Sequence, residues 1–185
     1  DDAFEWFGGT VNAKHLIAYR NWDDDFDTDF GFRGNIQFGL VVRDPNIADQ
    51  SGSNAFESDN DGQGTTNTPI TRPVFSNITV LGPLAQSSTL NSNYKRALHI
   101  RRNSQTSVFN SVSTDYPVGL LIDGSSTHNN AMNNDLRFKN SVICSTNDSL
   151  ATNTNADPNN IAGLFNISTW FNSAGNSNSL VNSTA

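Results

Sequence analysis

Cysteine is nearly missing from this chain: Cys144 is the only one in 185 residues. A lone cysteine excludes an intrachain disulfide and a cysteine-based zinc site. Its setting, the apolar run RFKNSVICS, marks it as a buried, inert thiol. Basic charge is scarce as well. Eleven lysines and arginines face 18 aspartates and glutamates, for a net charge of −7. Nothing basic is concentrated enough to neutralise phosphates, so nucleic acid and anionic membrane surfaces are excluded as partners. The one basic group, Lys95-Arg96 with Arg101-Arg102, is split by Leu98 and Ile100 and reads as a solvated strand face. No membrane-spanning run, secretory signal or lipid motif occurs. The first residues, DDAFEWFGG, read as the interior of a domain, so the chain is expected to be part of a larger protein or assembly. Catalytic signatures are missing too: there is no Ser-His-Asp order, no phosphate-cradling glycine loop and no HExxH. His15, His99 and His128 lie far apart without metal-ligand spacing, and His15 and His99 fall in strand-like runs, where structural roles are expected.

What the chain does have is asparagine, 27 residues of it. Asparagine tolerates left-handed backbone and caps turns through its side chain. With abundant serine, threonine and glycine between short β-branched runs, this composition predicts many tight turns joining short strands and few long helices.

An internal repeat organises the first third. DAFEWF (2–7), DDFDTD (24–29) and NAFESD (54–59) each place an acid directly after a phenylalanine: Phe4-Glu5, Phe26-Asp27 and Phe56-Glu57. Each block is followed by a turn and then by a strand-like run, at 14–20, 35–43 and 73–82. The first interval is 22 residues; the next is 30, lengthened by the polar insert 44–53. Short strands at such a period, aligned in the same sense, predict an all-β right-handed parallel β-helix, a solenoid of five or six turns. Phe4, Phe26 and Phe56 would stack inside it. Further strands are expected near 96–102, 106–113, 118–124 and 136–145. An antiparallel sandwich is the competing arrangement, but no Asn-Gly or Asp-Gly hairpin joins the paired runs. The coil is assigned to 1–145. The remainder, 146–185, reads as a loop, a short C-terminal helix and an extended tail forming a loop-rich cap. Asp157 and Pro158 would start that helix, with Ile161, Leu164, Phe165 and Phe171 on one face.

The blocks DDAFEWFGGTVNAKHLIAYRNWDDDFDTDFGFRGNIQFGLVVRDP and GSNAFESDNDG resemble a repeat region of large secreted or cell-surface proteins of the Bacteroidota, described as lipoproteins or right-handed parallel β-helix proteins. The resemblance covers residues 1–85 well. It implies a parallel β-helix and export to the cell surface, often by type IX secretion. It implies no enzymatic activity and no catalytic residues.

The acids need an explanation of their own. Equivalent residues in adjacent turns of a solenoid lie about 4.8 Å apart. The alignment puts Glu5, Asp27 and Glu57 in one ladder, Asp2 and Asp24 in another, and Asp29 and Asp59 in a third. Like charges placed opposite one another destabilise a sheet. Calcium, which takes six to eight oxygen ligands, would relieve them; the candidate ligands are Asp23, Asp25, Asp27, Asp29, Glu57, Asp59 and Asp61. ESDNDG resembles the start of a calcium loop, but its first ligand is Glu57 and its twelfth position is Thr68, so it is not an EF-hand. A solvated acidic face is the plain alternative: on a strand Asp23, Asp25, Asp27 and Asp29 would all point one way. Parallel β-helices also cleave polysaccharides with paired carboxylates or calcium and a base; Arg20, Arg43 and Arg101 could serve as that base. Trp6, Tyr19 and Trp22 could stack on sugar rings if exposed. Weak glycosylation signals occur at Ser149, where DSL in an expected loop resembles an Asp-Ser/Thr-apolar O-glycosylation acceptor of Bacteroidota, and at the Asn-x-Ser/Thr sequons of Asn77, Asn147, Asn166 and Asn182.

Two functions follow as expectations. The first is a non-enzymatic exported scaffold or adhesin-like module whose acidic rungs bind calcium, with a glycan or a surface protein as partner. The second is a carbohydrate-binding module or a β-helix polysaccharide lyase or hydrolase. A face lined by carboxylates, an arginine and exposed aromatics would favour sugar. Acids gathered on a featureless face would favour the scaffold.

Overall fold

A computed structural model describes residues 1–144, 148–153 and 165–181. It is a parallel β-helix. Six strands form one sheet: β1 (Phe4–Phe7), β3 (Phe26–Asp29), β5 (Phe56–Ser58), β7 (Arg96–Ile100), β10 (Val118–Asp123) and β13 (Asp148–Asn153), in that order. The second sheet runs from β2 (Ala13–Tyr19) through β4 (Asn35–Val42) to β6 (Val74–Leu81). It continues as paired short strands, β8 (Ser107–Phe109) with β9 (Val112–Thr114), then β11 (Arg137–Lys139) with β12 (Val142–Cys144), and ends at β14 (Ser179–Leu180). Every pairing is parallel.

The register confirms the repeat. Phe4 pairs with Phe26, Phe26 with Phe56, and the column continues through Leu98, Leu120 and Leu150. The phenylalanine rings stand 5.8 and 5.3 Å apart, and Phe75 from the second sheet meets Phe56 edge-on at 5.0 Å. Strand alternation therefore sends one column inward and the acid beside it outward. Two residues further along, the inward column turns polar at Thr28 and Ser58, between Trp6 before them and Ile100 and Ile122 after. The Thr28 and Ser58 hydroxyls share a hydrogen bond of 2.8 Å, and Ser58 meets Ser104 at 2.6 Å, so these buried groups are satisfied.

The second sheet bends once per turn. His15, Phe38, Asn77, Asn110, Asn140 and Ser177 occupy equivalent positions, all with φ from 49° to 61°. The bend is what splits the later strands into short pairs. Asparagine fills it three times, which is one destination of the chain's asparagine excess.

Two expectations need correction, and one element, a helix, had not been expected. The stretch 145–160, read as loop, contains β13, which pairs with β10 through Val118↔Asp148 and Leu120↔Leu150. Alternating Leu150 inward is enough to hold a strand whose other residues are small or polar. The polar segment after Asp123-Gly124 forms a helix, α1 (Ser125–Met132). Its periodicity was hidden because it buries Thr127, His128, Asn130 and Ala131 in place of large apolar residues. A short helix near the end is present as α2 (Ile167–Phe171), but it starts from Asn166, whose side chain accepts from the Thr169 amide at 2.8 Å. Asp157, Pro158, Ile161 and Leu164 lie outside the described residues, as do Asn147 and Asn182.

Candidate functional site: the outer face of the first sheet

The outward column of the first sheet runs Glu5, Asp27, Glu57, His99, Leu121. Around it the face divides into two electrostatic halves.

In the half near β7 the acids are neutralised. Arg101 follows directly after β7. Its Nε donates to Asp59 Oδ1 at 2.7 Å, and its Nη2 donates to Asp59 Oδ2 at 3.1 Å and also to Glu57 Oε1. Arg102 Nη1 donates to Asp59 Oδ2 at 2.7 Å. His99 sits between carboxylates, with Nε2 3.1 Å from Asp123 Oδ2 and Nδ1 3.6 Å from Glu57 Oε2. Against the penalty of burial, the His99 ring and the arginine charges hold Glu57 below the usual carboxylate range. The basic cluster is thus not a solvated strand face. Arg101 turns back over the strand ends because Glu57 and Asp59 are there to receive it.

In the half near β1 the acids stand without basic partners. Carboxylate oxygens of Asp2, Glu5 and Asp27 all lie within 4.8 Å of one another. A second trio, Asp2, Asp23 and Asp24, meets the same limit and shares Asp2. Among the described residues, no lysine or arginine pairs with any of the five. Burial, then the charge of Glu57, pushes the Asp27 carboxyl up to about 8. Burial raises Asp2 to about 6 and Asp24 well above the usual range. Asp24 Oδ1 accepts from the Asn54 amide at 2.5 Å, and Asp2 Oδ1 accepts from the Asp24 amide at 2.9 Å.

The aspartates of residues 23–29 do not share one side. Only Asp27 and Asp29 lie on a strand, because β3 begins at Phe26. Asp23 caps the insert loop, accepting from Ser51 Oγ at 3.0 Å and Ser53 Oγ at 3.3 Å. Asp25 turns into the coil and is fully buried against Arg43 Nη1 at 3.0 Å, with Tyr94 Oη accepting from Arg43 Nε at 3.2 Å. Burial pushes Asp25 up to about 7, the Arg43 charge working against it. Asp29 Oδ1 accepts from the Phe30 amide at 2.6 Å. Asp61 closes its own loop, accepting from the Gln63 and Thr65 amides at 3.0 Å each and from the Thr65 hydroxyl. Of the seven candidate ligands, Asp27 and Asp23 fall in the two carboxylate trios. Glu57 and Asp59 are held by arginine, and Asp25, Asp29 and Asp61 have separate surroundings. Asp2 and Glu5 were legible as ladder members, yet nothing in the sequence ranked them above the denser run at 23–29.

Trp6 is no exposed platform: it lies stacked on Phe32 at 5.1 Å and 9°, among the aromatics at the first turn. Tyr19 and Trp22 are exposed, at 65% and 54%. They lie away from the acid column, with Arg20 over the Tyr19 ring and Trp22 Nε1 donating to Asp49 Oδ1 at 2.7 Å. Ser149 lies half-buried within β13 instead of on a loop.

Two stacked parallel sheets, with one strand column added to each per turn, define the class: a parallel β-helix. The chain belongs to the pectate-lyase-like β-helix family, whose profile matches residues 1–184. No curated protein and no solved structure matches the chain.

Proposed function

We propose that the chain is a glycan-binding module of an exported surface protein, working through the outer face of its first sheet with calcium among Asp2, Glu5 and Asp27. One observation carries this reading: three carboxylates within 4.8 Å of one another that no basic side chain among the described residues neutralises, beside two acids that arginines do neutralise. The donors fit the ion. They are hard oxygens at a half-exposed rim, and three of them leave coordination positions free for water or for a sugar carboxylate. Calcium there would supply the positive charge this half of the face lacks. The partner that follows is a uronate-bearing polysaccharide. The family supports a carbohydrate-active role, and the resemblance to Bacteroidota surface proteins supports export. No helix of the described residues is long and apolar enough to cross a membrane.

Hydrolytic or lyase activity is the second reading. Asp27 pushed up and Glu57 held down, side by side on adjacent strands, form the split pair that acid–base chemistry uses.

Calcium titration by calorimetry, with elemental analysis, tests the first reading. One ion is expected per chain, with affinity rising between about pH 6 and 8 as Asp2 and Asp27 lose their protons. Polygalacturonate should be retained with calcium and released by chelator. Absence of bound metal at pH 8 refutes the calcium reading, and release of reducing or unsaturated ends would establish the second.

A further inference from the structure

The bend of the second sheet carries an anomaly. In four turns the left-handed position holds Asn77, Asn110, Asn140 or Ser177, small polar residues. In the first two it holds His15 and Phe38, at φ 58° and 61°. Left-handed backbone costs a residue with a bulky side chain about 1–2 kcal/mol, and asparagine less. No core is gained in exchange. The two rings stack on each other at 5.2 Å and 10° on the outside of the coil, with Phe38 44% exposed. Stability alone would place asparagine here, as the later turns do.

Beside the bend lies an open recess of about 340 Å³, lined by Asn12, Lys14, Asn35, Gln37 and Ser76 over Ile36 and Val74. Lys14 and Gln37 directly precede the two stacked rings. Asn12 Oδ1 accepts from Asn35 N at 2.8 Å and from Asn35 Nδ2 at 2.9 Å, which fixes both amides. Among the described residues, no hydrogen bond engages the Gln37 amide or the Lys14 ammonium. No carboxylate lines the recess, in a chain of net charge −7.

We infer that this recess, with the His15–Phe38 stack, is a second glycan subsite that takes a neutral pyranose oligosaccharide. A side-chain amide presents a donor and an acceptor side by side, which matches vicinal sugar hydroxyls. An exposed aromatic pair offers a flat apolar surface to the C–H face of a pyranose. The lining is otherwise uncharged amides, a hydroxyl and apolar surface, and the Lys14 ammonium adds three donors for ring hydroxyls. The volume is at the lower end of small-molecule sites, enough for one or two sugar rings. The subsite lies on a different sheet from the acid column and needs neither Asp27 nor calcium.

The test titrates the full chain, in chelator, with cellohexaose, xylohexaose, mannohexaose and hexagalacturonate, followed by NMR shifts of the Gln37 side-chain amide and the Phe38 ring. One neutral hexasaccharide at least is expected to bind with a dissociation constant of about 1 mM or tighter. Phe38→Asn should weaken that binding at least about tenfold while leaving the melting temperature unchanged or higher. Gln37→Ala should weaken it without unfolding, and Asp27→Asn should leave it unchanged. The proposal is overturned if no neutral hexasaccharide moves these resonances, if Phe38→Asn binds like the parent chain, or if only the uronate binds. Loss of calcium binding at the acid column would leave this result untouched, so the two sites fail separately.

Discussion

Asp27→Asn should reverse its effect on stability according to whether calcium is present. The carboxyl titrates near 8 in the folded chain and near 3.9 when unfolded. Between those values the folded state holds a proton that the unfolded state has lost. The stabilisation is therefore complete at low pH and is lost as pH rises through about 8. One pKa unit corresponds to about 1.4 kcal/mol, so the full span sets a ceiling of about 5–6 kcal/mol. Coupling to Glu5, Asp2 and Glu57, together with local relaxation, brings the realistic gain from the asparagine to about 1–3 kcal/mol at pH 8 without metal. For a chain of this size that is about 3–10 °C in melting temperature. With calcium at a thousandfold excess over its dissociation constant, the parent chain should gain about 4.1 kcal/mol and overtake the variant. Thermal unfolding followed by circular dichroism, at pH 5 and pH 8, in calcium and in chelator, reads all four states. A variant less stable than the parent in chelator at pH 8 would refute the electrostatic argument. A variant that keeps the calcium shift would remove Asp27 from the ion's ligands.

Two further outcomes follow from the ion pairs. Arg43→Met leaves Asp25 buried without its partner and should cost about 3–5 kcal/mol in urea denaturation, most of it recovered by adding Asp25→Asn. A cost below about 1 kcal/mol would mean that the pair does not hold the corner together. Arg101→Ala strips Glu57 and Asp59 of their shared guanidinium and should cost about 2 kcal/mol at pH 7. Because Glu57 is held low in the folded chain, its share of that stabilisation is complete above pH about 4.5 and is lost as pH falls through its lowered folded value, so the gap between parent and variant should narrow in acid. Persistence of the gap at pH 3 would assign the loss to packing.

Much of the coil was legible because a solenoid writes its register into the chain. Phe4, Phe26 and Phe56 recur with an acid after each, and parallel strands stack equivalent positions directly, so aligning the sequence with itself aligns it in space. The column then changes from phenylalanine to Leu98, Leu120 and Leu150, and the repeat fades from view although the geometry continues. The bend shows the same limit. Asn77, Asn110 and Asn140 were visible as asparagine among others, but their shared left-handed position emerges only when the turns are superposed.

Sequence by itself determined the all-β coil, its period, its inward phenylalanines and the outward ladder of Glu5, Asp27 and Glu57. Strand alternation and parallel register are local rules, and a repeat obeys them turn after turn. Tertiary structure alone decided which acids stay bare. Asp25 and Asp27 are two residues apart in one acidic run. One turns inward to Arg43 because the strand has not yet begun, and the other faces outward into a column. Glu57 and Asp59 meet Arg101 across more than forty residues of chain, while Asp2 and Glu5 find no such partner among the described residues. Charge balance at a point depends on every side chain that reaches it, and those side chains come from turns that the sequence sets far apart.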